Sequence, residues 1–439
     1  MFKVSTFLLM ILFLVVVSCN EKNNSFPDKD PVDIILTPDI EIIPSAPLTN
    51  DAINFNHFNH LYKEINFNDK KVGIIHIYSE YPNYTYAIEP KEGFTCVDDV
   101  SRAIVMLSQY LELYETDKIA LEKLKNLTEF VLQMQNQNGY FNNFIWNDLT
   151  INTKYRTSIA SLDWWSFRAL WALESAYPYL KPDIDMANRI ENATEKLIKN
   201  IKRDLPTTYL ITEIINTLEV PTWLPGKSAA DQSAILILGL LNNYKRTADN
   251  DCKIIIDHLA KGIILMQKGN ENSYPYGAFL SSENLWHAWG NNQAYALLKA
   301  GEFFNNQEYI ASALIEVEYF YPWLLKNGFA EAFLINKTGD EFTEIDRNKY
   351  PQIAYGVRPM LWAASQAYHY SNDNKYKMIA NELGLWLSGK NDANTAIYNP
   401  NTGVCFDGIV GINEVNKNSG AESTLETLFM LLEIEKLKQ

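Results

Sequence analysis

The chain has 439 residues and a formal net charge of −15, with 53 acidic against 38 basic side chains, which argues against nucleic acid as a partner. Hydrophobic residues make up 47% of it and aromatic residues 13%, enough for a large packed core. Cys96, Cys252 and Cys405 are widely spaced and form no CxxC pair, so neither a disulfide framework nor a metal site is expected.

In chain order, Lys3 leads into FLLMILFLVVV, an apolar run too short to span a bilayer and the right length for a signal peptide core. It ends at VVSC, which resembles the lipobox of bacterial lipoproteins. The resemblance implies a signal peptide over residues 1–18 and a lipid on Cys19. Asn20, following that cysteine, leans towards the outer membrane of the cell envelope. Residues 19–48 are rich in Asn, Asp, Pro and Ser and read as a flexible tether. Residues 49–439 are expected to form one domain. Within it, VGIIHIYSEY alternates as a strand does and would put His76, Tyr78 and Glu80 on one face.

Past residue 95, apolar helices start near Asp99, Asp163, Asp231, Asn291, Val357 and Glu422, at intervals of 60 to 68 residues. Helices between them, such as KIALEKLKNLTEFVLQMQ, carry a charged face and read as an outer layer. One inner and one outer helix per interval predicts an all-α fold, an (α/α)6 toroid. INFNHFNHLYKEI would supply the sixth outer helix.

Such a ring turns all six inner-helix starts towards one mouth. Asp98 and Asp99 are favoured there by the helix N-terminus and are expected to pair with Arg102. The same mouth would gather Asp163, Arg168, Tyr355, Arg358, Asn292, His287 and Glu422, with His76 and Tyr78 over it. Trp164, Trp165, Trp286 and Trp289 offer flat faces on which sugar rings stack.

EGFTCVDDVSRA, HAWGNNQAYAL and NSGAESTLE resemble segments of the six-hairpin, glycosidase-like toroids of polysaccharide-degrading bacteria, over roughly residues 70–435. The resemblance implies a carbohydrate pocket at the mouth and does not choose the reaction. Terpenoid synthases share a double aspartate, but Arg102 occupies the last position of their metal-binding pattern and would repel magnesium.

Two chemistries compete. β-Elimination on a uronate-bearing oligosaccharide, by a lyase or dehydratase and with ulvan as the type of polymer, needs a base, a proton donor and cations around the substrate carboxylate. His76, His287, Tyr355, Arg358 and Asp99 form the catalytic set on that reading. Tyr78, Arg102, Asp163, Trp164, Trp165, Arg168, Trp286, Trp289, Asn292 and Glu422 would bind substrate. Hydrolysis, including that of unsaturated uronyl ends, instead needs two carboxyl groups, one protonated at working pH, from Asp99, Asp163, Asp231, Glu283 and Glu422. A helix N-terminus favours the ionised form, which disfavours a general acid unless burial reverses it. A lipid-anchored glycan-binding protein is a third class, although such proteins usually carry shorter repeats than these. No cofactor and no metal are expected. The partners expected are an oligosaccharide, the membrane through Cys19 and, indirectly, other polysaccharide-degrading enzymes.

Overall fold

The computed structural model describes residues 40–438. The predicted signal peptide, Cys19 and most of the predicted tether lie outside the described residues. Six inner helices follow one another: α2 (Val97–Leu113), α4 (Trp164–Leu180), α6 (Ala230–Thr247), α8 (Gln293–Phe304), α10 (Ala354–Ser371) and α12 (Ala421–Lys436). Each packs against the next, and α12 packs back against α2, so the ring closes. Around it lie α1 (Asn56–Leu61), α3 (Lys118–Gln133), α5 (Ile184–Asp204), α7 (Asn250–Leu265), α9 (Gln307–Asn327) and α11 (Asn374–Gly384).

Local chemistry explains both layers. Outer helices α3, α5, α7, α9 and α11 start on Asp117, Asp183, Asp249, Asn306 and Asp373, whose side chains cap the first free backbone N–H groups. On α5 the buried positions Met186, Ile190, Ala193, Leu197 and Ile201 recur every three to four residues, and the other faces are polar. Inner helices are buried on most sides: α2 is covered from Val97 to Leu111. Where α6 meets α4, a side chain on Gly239 would put its first carbon 2.9 Å from Leu170 Cγ and 3.0 Å from the Trp171 backbone nitrogen, so glycine permits the close approach.

Inner-to-outer connections are two to four residues long, whereas the returns run 25 to 36 residues. All the long loops therefore sit at the N-terminal ends of the inner helices, where they fold into short antiparallel hairpins. One of these, Ala332–Thr338 with Glu341–Asn348, also pairs with Leu285–His287 and so holds His287 at the ring. Among the described residues no helix is long and apolar enough to cross a membrane.

Three expectations need correction. Ile42–Ile43 pairs with Tyr62–Phe67, and Leu48 is buried and bonded to Asn59, so the predicted tether joins the domain from about residue 40. The sixth outer helix spans only Asn56–Leu61, which packs on α12; Tyr62–Phe67 then turns into a strand because it pairs with Lys70–Ile75. The strand expected over VGIIHIYSEY breaks after Ile75 and resumes at Tyr78–Glu80.

Gly93 leads into α2 with φ +139°, and a methyl group there would stand 2.0 Å from the Ile145 carbonyl oxygen. Gly93→Ala is expected to cost about 3 kcal/mol or more, since both strain and a backbone clash arise. Denaturant unfolding checks this; an unchanged midpoint would contradict it.

Candidate active site

The starts of the inner helices converge on one buried polar network. Cys96 is the N-cap of α2, its sulfur accepting from the Asp99 N–H. Asp98 and Asp99 then point to different neighbours. Asp98 Oδ1 lies 2.7 Å from Arg168 Nη1 on α4, and Oδ2 accepts from Asn143. Asp99 Oδ1 accepts from Arg102 Nη1 at 2.6 Å. Arg102 also reaches α12, at 2.6 Å to Glu422 Oε2 and 3.1 Å to Glu426 Oε1. Glu426 Oε2 accepts from Arg358 Nε on α10 at 2.5 Å, and Arg358 Nη1 donates to Asn292 Oδ1 at the start of α8. Arg168 Nη2 donates to the Tyr355 hydroxyl oxygen at 2.9 Å. At the start of α6, Asp231 Oδ2 lies 3.0 Å from His287 Nε2, while His287 Nδ1 bonds the Trp289 carbonyl. Every inner helix thus contributes a polar group to one mouth.

Neither a protein-family model nor a curated protein matches the sequence. Solved structures do match. The chain is an (α/α)6 toroid. Cellobiose 2-epimerase from Bacillus thermoamylovorans B4167 aligns at 12% identity with a TM-score of 0.57, covering 82% of this chain and 92% of that one. The cellulase Cel9M of C. cellulolyticum aligns at 13% identity and TM-score 0.51, covering 84% and 89%. A D-mannose isomerase aligns at 14% identity and TM-score 0.53, covering 82% and 91%. These structures belong to carbohydrate-processing enzymes, and at such identities the likeness establishes the shared fold.

Burial shapes the acid–base properties of the toroid mouth. It pushes Glu422 up to about 7, outweighing the pull of Arg102. It pushes Asp163 up to about 6, although the carboxylate caps the Trp164 N–H and lies near Arg168. Glu92 rises to about 7 for the same reason, despite the hydrogen bond from the Tyr78 hydroxyl. Asp99 is raised as well, burial again dominating. The tendency of helix N-termini to favour ionised carboxylates is therefore overcome by desolvation. A small cavity of about 50 Å³ opens between Tyr78, Asp99, Tyr355, Asp407, Glu422 and Ser423.

Trp164 and Trp289 face this end of the toroid, with ring centres 6.0 Å apart at 49°. Arg168 sits over Trp164 at 5.0 Å, and His287 stacks on Trp289 at 3.6 Å. Other expected residues lie elsewhere. Trp286 is fully buried, stacked on Phe333, because Leu285–His287 is a strand and puts Trp286 and His287 on opposite faces. Trp165 is buried too, its indole N–H donating to the Phe141 carbonyl. His76 packs flat on Tyr86 and beside Phe94, outside the polar network, and burial drives its pKa down to about 3. Asp98 pairs with Arg168 rather than with Arg102, as Arg102 is taken by Asp99 and α12.

Sequence reasoning missed Glu92, Asn143, Asp407 and Glu426. Glu426 follows Glu422 by four residues in NSGAESTLE, so one helix face presents both carboxyls, a signal that was readable. Asp407 accepts from the Gly420 N–H and the Ser423 hydroxyl and so fixes the start of α12. Among the described residues no group of three His, Cys, Asp or Glu could hold a metal ion.

Proposed function

We propose that the chain is a glycoside hydrolase acting on an uncharged oligosaccharide at the N-terminal mouth of the toroid. The observation that carries this is a pair of half-buried carboxyls, Asp163 and Glu422, that flank the Asp98–Asp99 start of α2 and titrate near neutrality. Glu422 is the general acid and gives its proton to the glycosidic oxygen. Asp163 is the general base and takes a proton from the attacking water, so the proton count balances. Trp289, half-buried and covered by His287 on one face, supplies the platform on which a sugar ring stacks, with Trp164 beside it. The similar structures, named for an epimerase of cellobiose, a cellulase and an isomerase of mannose, are in keeping with a neutral sugar.

Charge pairing weighs against the uronate reading. Arg102, Arg168 and Arg358 each face a carboxylate of the protein, and Asp163, Asp231 and Glu92 add further acidity. An anionic substrate would enter a site already rich in carboxyl groups. One arrangement supports β-elimination nonetheless. Arg102, Arg168 and Arg358 lie 4.8, 5.5 and 5.4 Å from the centre of the Tyr355 ring, and Arg168 donates to its hydroxyl oxygen. Such a phenol could take the proton beside a uronate carboxyl, with His287 protonating the leaving oxygen.

Incubation with neutral and uronate-bearing oligosaccharides separates the two. Hydrolysis releases new reducing ends from neutral chains without absorbance near about 235 nm, whereas elimination raises that absorbance. A rise confined to uronate substrates, lost in His287→Ala, would overturn the hydrolase reading. Binding without turnover of any glycan would favour a carbohydrate-binding protein. We place the enzyme in the cell envelope, anchored through Cys19 and fed by other polysaccharide-degrading enzymes; the VVSC segment supports this, and radiolabelled fatty acid uptake lost in Cys19→Ala tests it.

A further inference from the structure

Behind the Trp289 indole lies a charged pair that the acid–base chemistry does not use. His287 stacks on the indole with ring centres 3.6 Å apart and planes at 6°, and it is 1% exposed. Its Nδ1 lies 2.7 Å from the Trp289 carbonyl oxygen. Its Nε2 lies 3.0 Å from Asp231 Oδ2, off the line of a hydrogen bond. A carbonyl oxygen only accepts, so Nδ1 carries a proton. A bare Nε2 would set a lone pair against the carboxylate, so a further proton is shared between His287 and Asp231. Glu331 lies near enough for the imidazolium charge to oppose the rise that burial gives its carboxyl. Both ring nitrogens face protein groups and the ring is covered, so His287 is not placed to exchange a proton with a substrate.

Each partner of this ring is itself anchored. Asp231 sits in the first turn of α6, its Oδ1 accepting from the Gln232 N–H at 2.6 Å. The His287 N–H donates to Ser281 Oγ at 3.1 Å, and the strand that carries it pairs at Ala332. After Trp289, Gly290 has φ +71°, and a methyl group there would stand 3.1 Å from the Tyr355 hydroxyl and 3.4 Å from Trp164. The loop is therefore pressed against the mouth. Packing alone would be served by any flat ring, and it leaves unexplained a buried ion pair, whose desolvation is costly.

We propose that His287 is a positioning residue: tied to Asp231 and to the Trp289 carbonyl, it locks the indole in the orientation on which a neutral sugar stacks. The sugar meets the face that His287 leaves uncovered, with Trp164 beside it. This role rests on the hydrolase reading.

Fluorine NMR of the full chain carrying fluorinated tryptophan tests the lock without any substrate, Trp289→Phe identifying the line. That line should be single in the natural chain. It should broaden or split in His287→Phe, which keeps a flat ring, and in Asp231→Asn, which keeps the shape. An unchanged line in both variants would overturn the proposal. With cellotetraose as the neutral probe, His287→Phe should raise KM about three- to tenfold, the worth of one aromatic contact, with kcat kept within about twofold. In a Trp289→Ala background the same substitution should raise KM no further, as expected of a residue that acts only through Trp289. A loss that falls on kcat, or KM effects that add, would also overturn it. A natural chain that leaves cellotetraose intact counts against the hydrolase reading, and the fluorine line then decides the lock by itself.

Discussion

Glu422→Gln is expected to lower kcat by about 10² to 10⁴-fold, the range a positioned general acid contributes, with little change in folding because glutamine can still face Arg102. The pH profile of the natural enzyme should be bell-shaped. Glu422 must hold its proton, so activity falls as pH rises through about 7. Asp163 must be ionised, so activity falls as pH drops through about 6. In Glu422→Gln the alkaline limb should disappear. A variant with natural kcat, or an unchanged alkaline limb, would remove Glu422 from the chemistry. Linkage adds a sign for stability. Both carboxyls bind protons more tightly folded than unfolded, so the stability they contribute is full at low pH and is lost as pH rises through those same values.

Glu426→Ala is expected to cost about 3 to 5 kcal/mol, the usual penalty for removing one partner of a buried ion pair. Glu426 is 0% exposed and accepts from both Arg102 and Arg358, so its loss leaves two guanidinium groups facing each other without their shared anion. Denaturant titration reads the change. A loss below about 1 kcal/mol would mean that the network relaxes freely and does not hold α2, α10 and α12 together.

Much of the toroid was readable because its signals are local. Asp163 is the N-cap residue of α4, and the expected starts near Asp99, Asp231 and Glu422 fall in the first turns of α2, α6 and α12. Capping residues and apolar periodicity act over one or two turns, so a linear reading finds them. Which group meets which was not readable. Arg102 and Glu422 are 320 residues apart and meet only because the ring closes between α12 and α2. Trp286 reads as part of a helix start, whereas its strand pairs with Ala332–Thr338 and the two-residue period buries it. The alternation that would carry His76 over the mouth ends at Ile75. The acid–base roles were hidden as well, since burial, not helix position, decides the titration of Asp163 and Glu422.

The most direct test is a crystal structure of Glu422→Gln soaked with a neutral oligosaccharide. A sugar ring should lie on Trp164 or Trp289, with its glycosidic oxygen within hydrogen-bond reach of residue 422 and a water beside Asp163. Density for that oligosaccharide only away from the inner-helix starts would contradict a catalytic mouth there.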